Sequence, residues 1–377
     1  MIKRSLQKEL ESELHKGKAM LLLGARQVGK TTLLRQLQDN LVEDVLWLNC
    51  DIKETRETLS DCNFAELRML IGESKTVVID EAQRISDIGL TLKLITDNMP
   101  DVQLLVSGSS AFELRNRLNE PLTGRKFEYQ LFPISTQEIY QSEGLIAVKQ
   151  RLESRLIFGS YPDVICHPEK AKKILMELTE SYLYKDILEL EGIRKSSVLD
   201  KLLIALSLQV GSEVSYNELA KTVGIDNKTI EKYINILEKC FIVFQLNSFS
   251  RNIRTELTKG KKIYFYDNGI RNAIIQNFTP LNMRNDLGAL WENFFISERL
   301  KANHYTQHYA RSYFWRTTEK QEIDYIEESD GQLQLFEMKW NEKKGNVKVP
   351  NVFLETYHPN ATSVITPANY LQYLINL

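Results

Sequence analysis

Cysteine is scarce in this chain: Cys50, Cys62, Cys166 and Cys240 are the only four among 377 residues. None stands at the spacing of a metal-binding pair, and nothing suggests a disulfide framework, so buried free thiols are expected. Histidine is nearly as rare, with five residues. His304 and His308 lie four apart, but the intervening Tyr-Thr-Gln supplies no H-E-x-x-H glutamate, which argues against a zinc site there. Long apolar runs are also missing. The longest, Ala19 to Gly24, falls far short of the roughly 20 residues that cross a bilayer. The charged start, Met1 to Leu14, places Leu6, Leu10 and Leu14 at helical spacing and has no apolar segment of the signal-peptide kind. A cytoplasmic protein with no membrane partner is expected. An excess of one charge is absent too: 48 Lys and Arg against 50 Asp and Glu leave a net charge of −2. That excludes a protein coated in nucleic acid but leaves room for a local basic patch. With 43% hydrophobic and 26% charged residues and no Pro/Gly/Ser-rich tract, the composition is that of a globular protein of two or three domains.

Against this plain background one segment is specific. Ala19 to Leu23 is a short continuous apolar run, as for a strand buried on both faces. Gly24, Ala25, Arg26, Gln27, Val28, Gly29, Lys30 and Thr31 follow at once and match G-x-x-x-x-G-K-[ST], after which Thr32 to Gln38 reads as a helix. In this strand–loop–helix setting the glycines let backbone N–H groups wrap phosphates, and the helix N-terminus favours their charge. Lys30 would reach the β- and γ-phosphates of ATP, and the Thr31 hydroxyl would ligate Mg²⁺. A second apolar strand, Thr76 to Ile79, ends in Asp80 and Glu81. Asp80 would hold the Mg²⁺ through water, and Glu81 would orient and deprotonate the attacking water.

Val45–Leu48 and Val102–Val106 complete a mostly parallel α/β sheet, as strands alternating with helical stretches imply. After the second comes Ser107-Gly-Ser-Ser110. Either a hydroxyl near the γ-phosphate, Ser109 first and Ser107 next, or a plain Ser/Gly turn fits. Arg125, on the Gly-bearing loop Leu122-Thr-Gly-Arg125 before the strand-like Phe127–Leu131, is either a solvated arginine or one that neutralises transition-state charge.

These pieces resemble a prokaryotic AAA-type ATPase family in which the ATPase domain precedes a C-terminal domain of unknown function. The matching segments are Gly24 to Thr32, Val78-Ile-Asp-Glu-Ala-Gln83, Ser107 to Ser110, and Leu122 to Arg125 leading to Leu131-Phe-Pro-Ile134. Gly159-Ser-Tyr-Pro162, Tyr184-Lys-Asp-Ile187 and Tyr264-Phe-Tyr-Asp-Asn-Gly269 also look like that family. The resemblance implies an additional-strand P-loop ATPase but no substrate. It strengthens the finger role for Arg125, which in trans would require a homo-oligomer.

Glu138 to Glu191 is mostly helical in pattern, the clearest helix being Ala171 to Leu183, and reads as a lid or connector. Of a nucleotide contact and plain surface charge, Lys185-Asp186 within it fits the second better. Val198 to Val210 is a further helix closed by Gly211. Ser215 and Glu218 have capping-box spacing, their helix stops at Gly224, and Asp226 caps a third helix from Asn227 to Lys239. Two helices joined by a short Gly-containing turn make a helix-turn-helix. The strand-like runs Phe241–Phe244 and Lys262–Tyr266 fit the wing of a winged helix. Asn227, Lys228 and Lys232 lie where base and phosphate contacts would be made. From Lys228 to Lys262 there are eight Lys and Arg and three Glu, an excess of 8 − 3 = 5 positive charges. DNA or RNA is one partner for such a surface, and a protein is the other.

The C-terminal part offers a second chemistry. Gly288 to Leu300 is a helix carrying Glu292. Glu322–Ile326 is a strand carrying Asp324, and after a Ser329-Asp-Gly331 turn the run Leu333–Lys339 places Glu337 and Lys339 on one face. Together they resemble the PD-(D/E)xK nuclease superfamily, whose carboxylates hold Mg²⁺ while the lysine assists. The alternatives are a degenerate copy of that fold and a chance hairpin with salt-bridged charges.

The expected organisation is an α/β P-loop NTPase domain over residues 1–140, a helical connector over 141–197, a winged helix over 198–272 and a small α/β nuclease-like domain over 273–377. The expected function is ATP binding and hydrolysis driving a molecular switch, with nucleic acid or a protein as its target. An ATP-gated, Mg²⁺-dependent nuclease and a non-enzymatic nucleotide-regulated scaffold are the alternatives.

Overall fold

The computed structural model describes residues 2–109, 122–183, 196–251, 260–341 and 349–375. Ser110 and the segment Tyr184–Ile187, with Lys185 and Asp186, lie outside them. The chain divides into two compact units, Met1–Phe132 with Lys239–Phe241, and Pro133–Glu238 with Ile242–Leu377.

The first unit is built on β1 (Ala19–Leu23), β2 (Val45–Asn49), β3 (Thr76–Asp80), β4 (Gln103–Gly108) and β5 (Lys126–Gln130), in the order β2-β3-β4-β1-β5. Every pairing is parallel. β1, β3 and β4 are buried along their whole length, which is why they read as unbroken apolar runs: helices cover both faces of such a sheet. The helix Leu6–Glu13 buries Leu6 and Leu10, as its spacing predicts.

In the second unit the helix Ser196–Leu208 is followed by β6 (Glu213–Val214), the helices Tyr216–Val223 and Asn227–Lys239, then β7 (Val243–Ser248) and β8 (Lys261–Phe265). Gly224 takes φ 83° and closes the first of the paired helices. Asp226 caps the next by accepting from the Thr229 N–H at 3.0 Å and the Thr229 hydroxyl at 2.6 Å. Ser215 accepts from the Glu218 N–H at 3.4 Å, half of the expected capping box. β7 starts two residues later than the sequence suggests, because Phe241 takes a left-handed φ of 59°. The expected helix 171–183 is α-helical over Ala171–Glu177 and turns to π geometry over Leu178–Leu183.

The helix Leu287–Tyr305 then leads to β9 (Arg311–Arg316), β10 (Glu322–Ser329), β11 (Gln332–Met338), the helix Asn351–Tyr357 and β12 (Ala361–Ile365). β9, β10 and β11 are antiparallel neighbours, and β12 returns parallel to β11. One face packs Tyr313, Trp315, Ile323, Ile326 and Leu335 against Phe353. The long helix covers the opposite face, with Phe295 6.0 Å from Phe336 and the Trp291 indole donating to the Ile365 carbonyl at 3.2 Å. β7 pairs in parallel with β9, giving a seven-stranded sheet of order β12-β11-β10-β9-β7-β8-β6 among the described residues. The expected boundary at 272/273 is therefore bridged by main-chain pairing.

Two individually weak motifs meet in this unit. The Asp267 carboxylate accepts from the N–H groups of Ser160, Gly269 and Ile270 at 2.6, 2.8 and 3.2 Å. Gly159 lies against it at φ 71°, where a Cβ would collide with that carboxylate. The glycine is there because the chain must approach Asp267 in a left-handed turn.

Candidate nucleotide site and a second charged cluster

The phosphate loop connects the buried end of β1 to the helix Lys30–Asp39. Gln27 at φ 59° and Gly29 at φ 96° turn the backbone. A Cβ on Gly24 would strike the Leu131 carbonyl, because β5 ends against the start of the loop and the Leu131 N–H donates to the Leu23 carbonyl at 2.7 Å. Arg4, which sequence patterning did not single out, braces the loop from behind: its buried guanidinium donates to the Val28 carbonyl at 2.6 Å and the Phe132 carbonyl at 2.5 Å.

The Lys30 ammonium donates to the Gly24 and Ala25 carbonyls, both at 3.0 Å, so it lies folded into the loop. The Thr31 hydroxyl donates to Asp80 Oδ2 at 2.8 Å, and the Ser107 hydroxyl donates to Asp80 Oδ1. This joins the loop, β3 and β4 at the carboxyl edge of the sheet, where ligands bind in open α/β folds. Thr31 and Asp80 set two hard oxygen donors side by side, which suits Mg²⁺. Glu81 has a left-handed φ of 56° and its N–H donates to Ser107 at 3.2 Å. A non-glycine residue held there stores strain of the kind found at functional sites. The Gln83 amide donates to Glu81 at 2.5 Å and to Ser109 at 2.9 Å. Of the two serines weighed, Ser107 touches Asp80 and Ser109 reaches Glu81 through Gln83. Gln83 itself was missed as a site residue, although it stands two residues beyond Glu81.

Arg125 is not brought to this site. Its carbonyl accepts from the Ala19 N–H at 2.9 Å, at the opposite edge of the sheet from Gly24, and its guanidinium is bonded to Asp97. Within one chain it is a surface ion pair, and a finger role is left only to a second copy.

Asn227, Lys228 and Lys232 are all exposed on one helix, and the Asn227 amide donates to Asn217. Of the thiols, Cys50 and Cys240 are buried, but Cys62 is half-buried and Cys166 is exposed. The expectation of four buried thiols fails at Cys166 because Val164 and Ile165 are the residues that its short helix turns inward. Burial, with Asp80 nearby, pushes the Cys50 thiol up to about 12.

The residues of the second motif do converge. The antiparallel pairing of Tyr325 with Phe336 brings Asp324, one residue before Tyr325, opposite Glu337, one residue after Phe336. A bulge between Ile323 and Ile326 turns both isoleucines to the same core, a shift that simple alternation would not predict. Asp324 accepts from the Met338 N–H at 2.9 Å. Lys339 stands 3.3 Å from Glu337 and 3.7 Å from Asp324. Burial, reinforced by Asp324 and opposed by Lys339, raises the Glu337 carboxyl above its usual range, and its Oε1 is buried without a hydrogen-bond partner. Glu292 is claimed by groups outside the motif: Lys262 at 3.1 Å and the Tyr264 hydroxyl at 2.6 Å, both on β8. Burial pushes Glu292 up to about 7 against the pull of Lys262. Among the described residues, no group of three or more His, Cys, Asp or Glu side chains is arranged to hold a metal ion. Among the described residues, no helix is long and apolar enough to cross a membrane.

Residues 16–140 match a family described as an AAA domain, residues 149–281 a domain of unknown function (DUF8612), and residues 287–375 another (DUF4143). An uncharacterised protein of Mycobacterium tuberculosis is 28% identical over 343 residues, 89% of this chain and 74% of its own length. One from Haemophilus influenzae is 25% identical over 276 residues, 68% of each chain. Among solved structures, a Walker-type ATPase of Pyrococcus abyssi is similar at 19% identity and a TM-score of 0.50, covering 73% of this chain and 96% of that one. The matched segments and the parallel sheet support an AAA-type P-loop ATPase that carries a C-terminal domain of unknown function.

Proposed function

We propose that this chain binds Mg²⁺·ATP on the loop Gly24–Thr31, hydrolyses it, and uses the cycle as a molecular switch. The observation that carries this reading is the bonded series Thr31–Asp80–Ser107, with Glu81 next in the chain. The loop N–H groups and Lys30 would hold the phosphates, Thr31 and Asp80 would hold the magnesium ion, and Glu81 would take a proton from the attacking water. Turnover requires the Lys30 ammonium to leave the Gly24 and Ala25 carbonyls for the β- and γ-phosphates. Lys30→Ala should abolish nucleotide binding. Glu81→Gln should bind ATP like the wild type and not hydrolyse it, measured by fluorescent-nucleotide titration beside phosphate release. Normal turnover in the glutamine variant would remove Glu81 as the base. A wild type that binds ATP and never releases phosphate would leave only the non-enzymatic scaffold.

The switch would act through residues 198–265, which we read as a winged helix. Helix, β6, two helices, β7 and β8 follow one another, and the strands lie in the order β6-β8-β7. Residues 252–259, between β7 and β8, fall outside the described set. Asn227, Lys228 and Lys232 are exposed along one helix, and the two lysines there favour nucleic acid as the partner. Replacing both lysines by alanine should weaken duplex binding and lower the slope of log K against log salt by about 1.8, leaving ATPase activity unchanged. Failure of the wild type to bind DNA or RNA at low salt would assign this helix to a protein partner. We read residues 287–365 as a nuclease-like fold, on the order helix, three antiparallel strands, helix and parallel strand. The ATP-gated nuclease reading needs Glu292, Asp324 and Glu337 to be open to a divalent cation.

A further inference from the structure

The cluster around Asp324 contains one group that its sequence motif does not supply. Lys262 comes from β8 and is 1% exposed. Its ammonium lies 3.1 Å from Glu292 and 2.5 Å from Glu322, and 5.5 Å from the centre of the Phe314 ring. The Tyr264 hydroxyl donates to the same Glu292 oxygen, and a Cβ on Gly211 would lie 3.3 Å from the Glu292 carboxylate. Glu292 is thus enclosed by β8 and the Gly211 turn, with one oxygen already accepting from two donors. On the other side, Lys339 serves Asp324 and Glu337, and Arg316 stands 3.6 Å from Glu322.

We infer that Lys262 is the resident cation of this cluster, its ammonium standing where a divalent metal ion would otherwise neutralise Glu292 beside Asp324 and Glu337. A buried ammonium survives only where carboxylates repay its lost hydration, and two do so here at contact distance. Glu292, Glu322, Asp324 and Glu337 gather around Lys262 and Lys339, and Arg316 is shared between Glu322 and Glu213 at 3.6 Å each. Removing the Lys262 charge leaves Glu292 and Glu322 without the buried cation they share, a deficit that a divalent ion would fill. The nuclease-like fold then serves as an ionic clamp between β8 and the helix Leu287–Tyr305, indifferent to metal.

The test is thermal unfolding of the full chain without nucleotide, with and without MnCl2 or MgCl2. Wild type and Lys262→Arg should melt at temperatures that neither salt changes. Lys262→Met should melt lower and be raised by several degrees by Mn²⁺, and the added change Asp324→Asn should remove that rise. A wild-type rise that Asp324→Asn abolishes would make a metal ion the resident cation and overturn the inference. So would a Lys262→Met variant that melts like the wild type or ignores Mn²⁺. Should Lys262→Met fail to fold, the double variant with Glu292→Gln decides: recovered folding means the two charges answer each other, and no recovery overturns the pairing.

Discussion

At the scale of single residues, the nucleotide site is a set of side chains occupied with one another. Gln83 links Glu81 to Ser109, so the base proposed above is aimed by an amide rather than left to rotate. A hydrogen bond to a charged group contributes about 1.5–3 kcal/mol. Gln83→Leu should therefore lower kcat about tenfold or more with KM little changed, because 1.4 kcal/mol in the barrier is a factor of ten. Steady-state kinetics check this, and an equal rise in KM at constant kcat would show that Gln83 serves binding instead. Gly159 carries a different constraint. The Asp267 carboxylate that a Cβ would meet is fixed by three N–H donors and cannot swing away. Gly159→Ala should cost about 1–3 kcal/mol, from the left-handed φ and the collision together. Urea unfolding measures it.

At the scale of elements, β5 separates what the sequence can say from what it cannot. Parallel pairing of β1 and β5 puts Arg125 beside Ala19, at the far edge from the phosphate loop. Arg125→Ala should leave the turnover of dilute protein unchanged. A loss that appears only as protein concentration rises would identify a finger supplied by a second copy. The phosphate loop, Asp80 and Glu81 were legible because local sequence dictates them: a glycine pattern fixes a turn, and an apolar run fixes a buried strand. The placement of Arg125 was not legible, since it depends on which way β5 runs and which strand it joins. Sequence patterning counts Lys262 with the basic excess of the expected wing, whereas it is buried and paired with Glu292 and Glu322, and that was not legible for the same reason. Nothing local marks it, and Glu292 lies 30 residues further along the chain. Asp324, Glu337 and Lys339 could be read because they sit on one hairpin, although the bulge in β10 that lets Ile323 and Ile326 share a core could not.

At the scale of the whole molecule, the second unit rests on buried charge. Glu298 is 2% exposed and accepts from the Thr136 N–H and hydroxyl, with Arg155 at 3.0 Å and Lys301 at 2.6 Å. Burial opposes its ionisation, but Arg155 and Lys301 prevail and hold it down at about 2. A carboxyl depressed on folding contributes stability above its usual pKa and loses it as pH falls through the lowered value. About 3 kcal/mol should thus disappear between roughly pH 4.5 and 2. Glu298→Gln should lose that acid limb and, by stranding two buried cations, cost about 3–5 kcal/mol near neutral pH. Urea unfolding of both proteins across this range would show the two curves approaching one another in acid.

The pairing of β7 with β9 also bears on how this protein can be divided. The two matches to domains of unknown function end at 281 and begin at 287, which invites a cut between them. Such a cut would run between β8 and β9 and strip β7 and β9 of their shared hydrogen bonds. Each fragment would then present a bare interior strand as a new edge, a template for joining other copies. Fragments made at that junction should aggregate, whereas the two co-expressed should recombine along β7 and β9. The sheet, rather than the spacing of family matches, marks the smallest piece that can remain in solution alone.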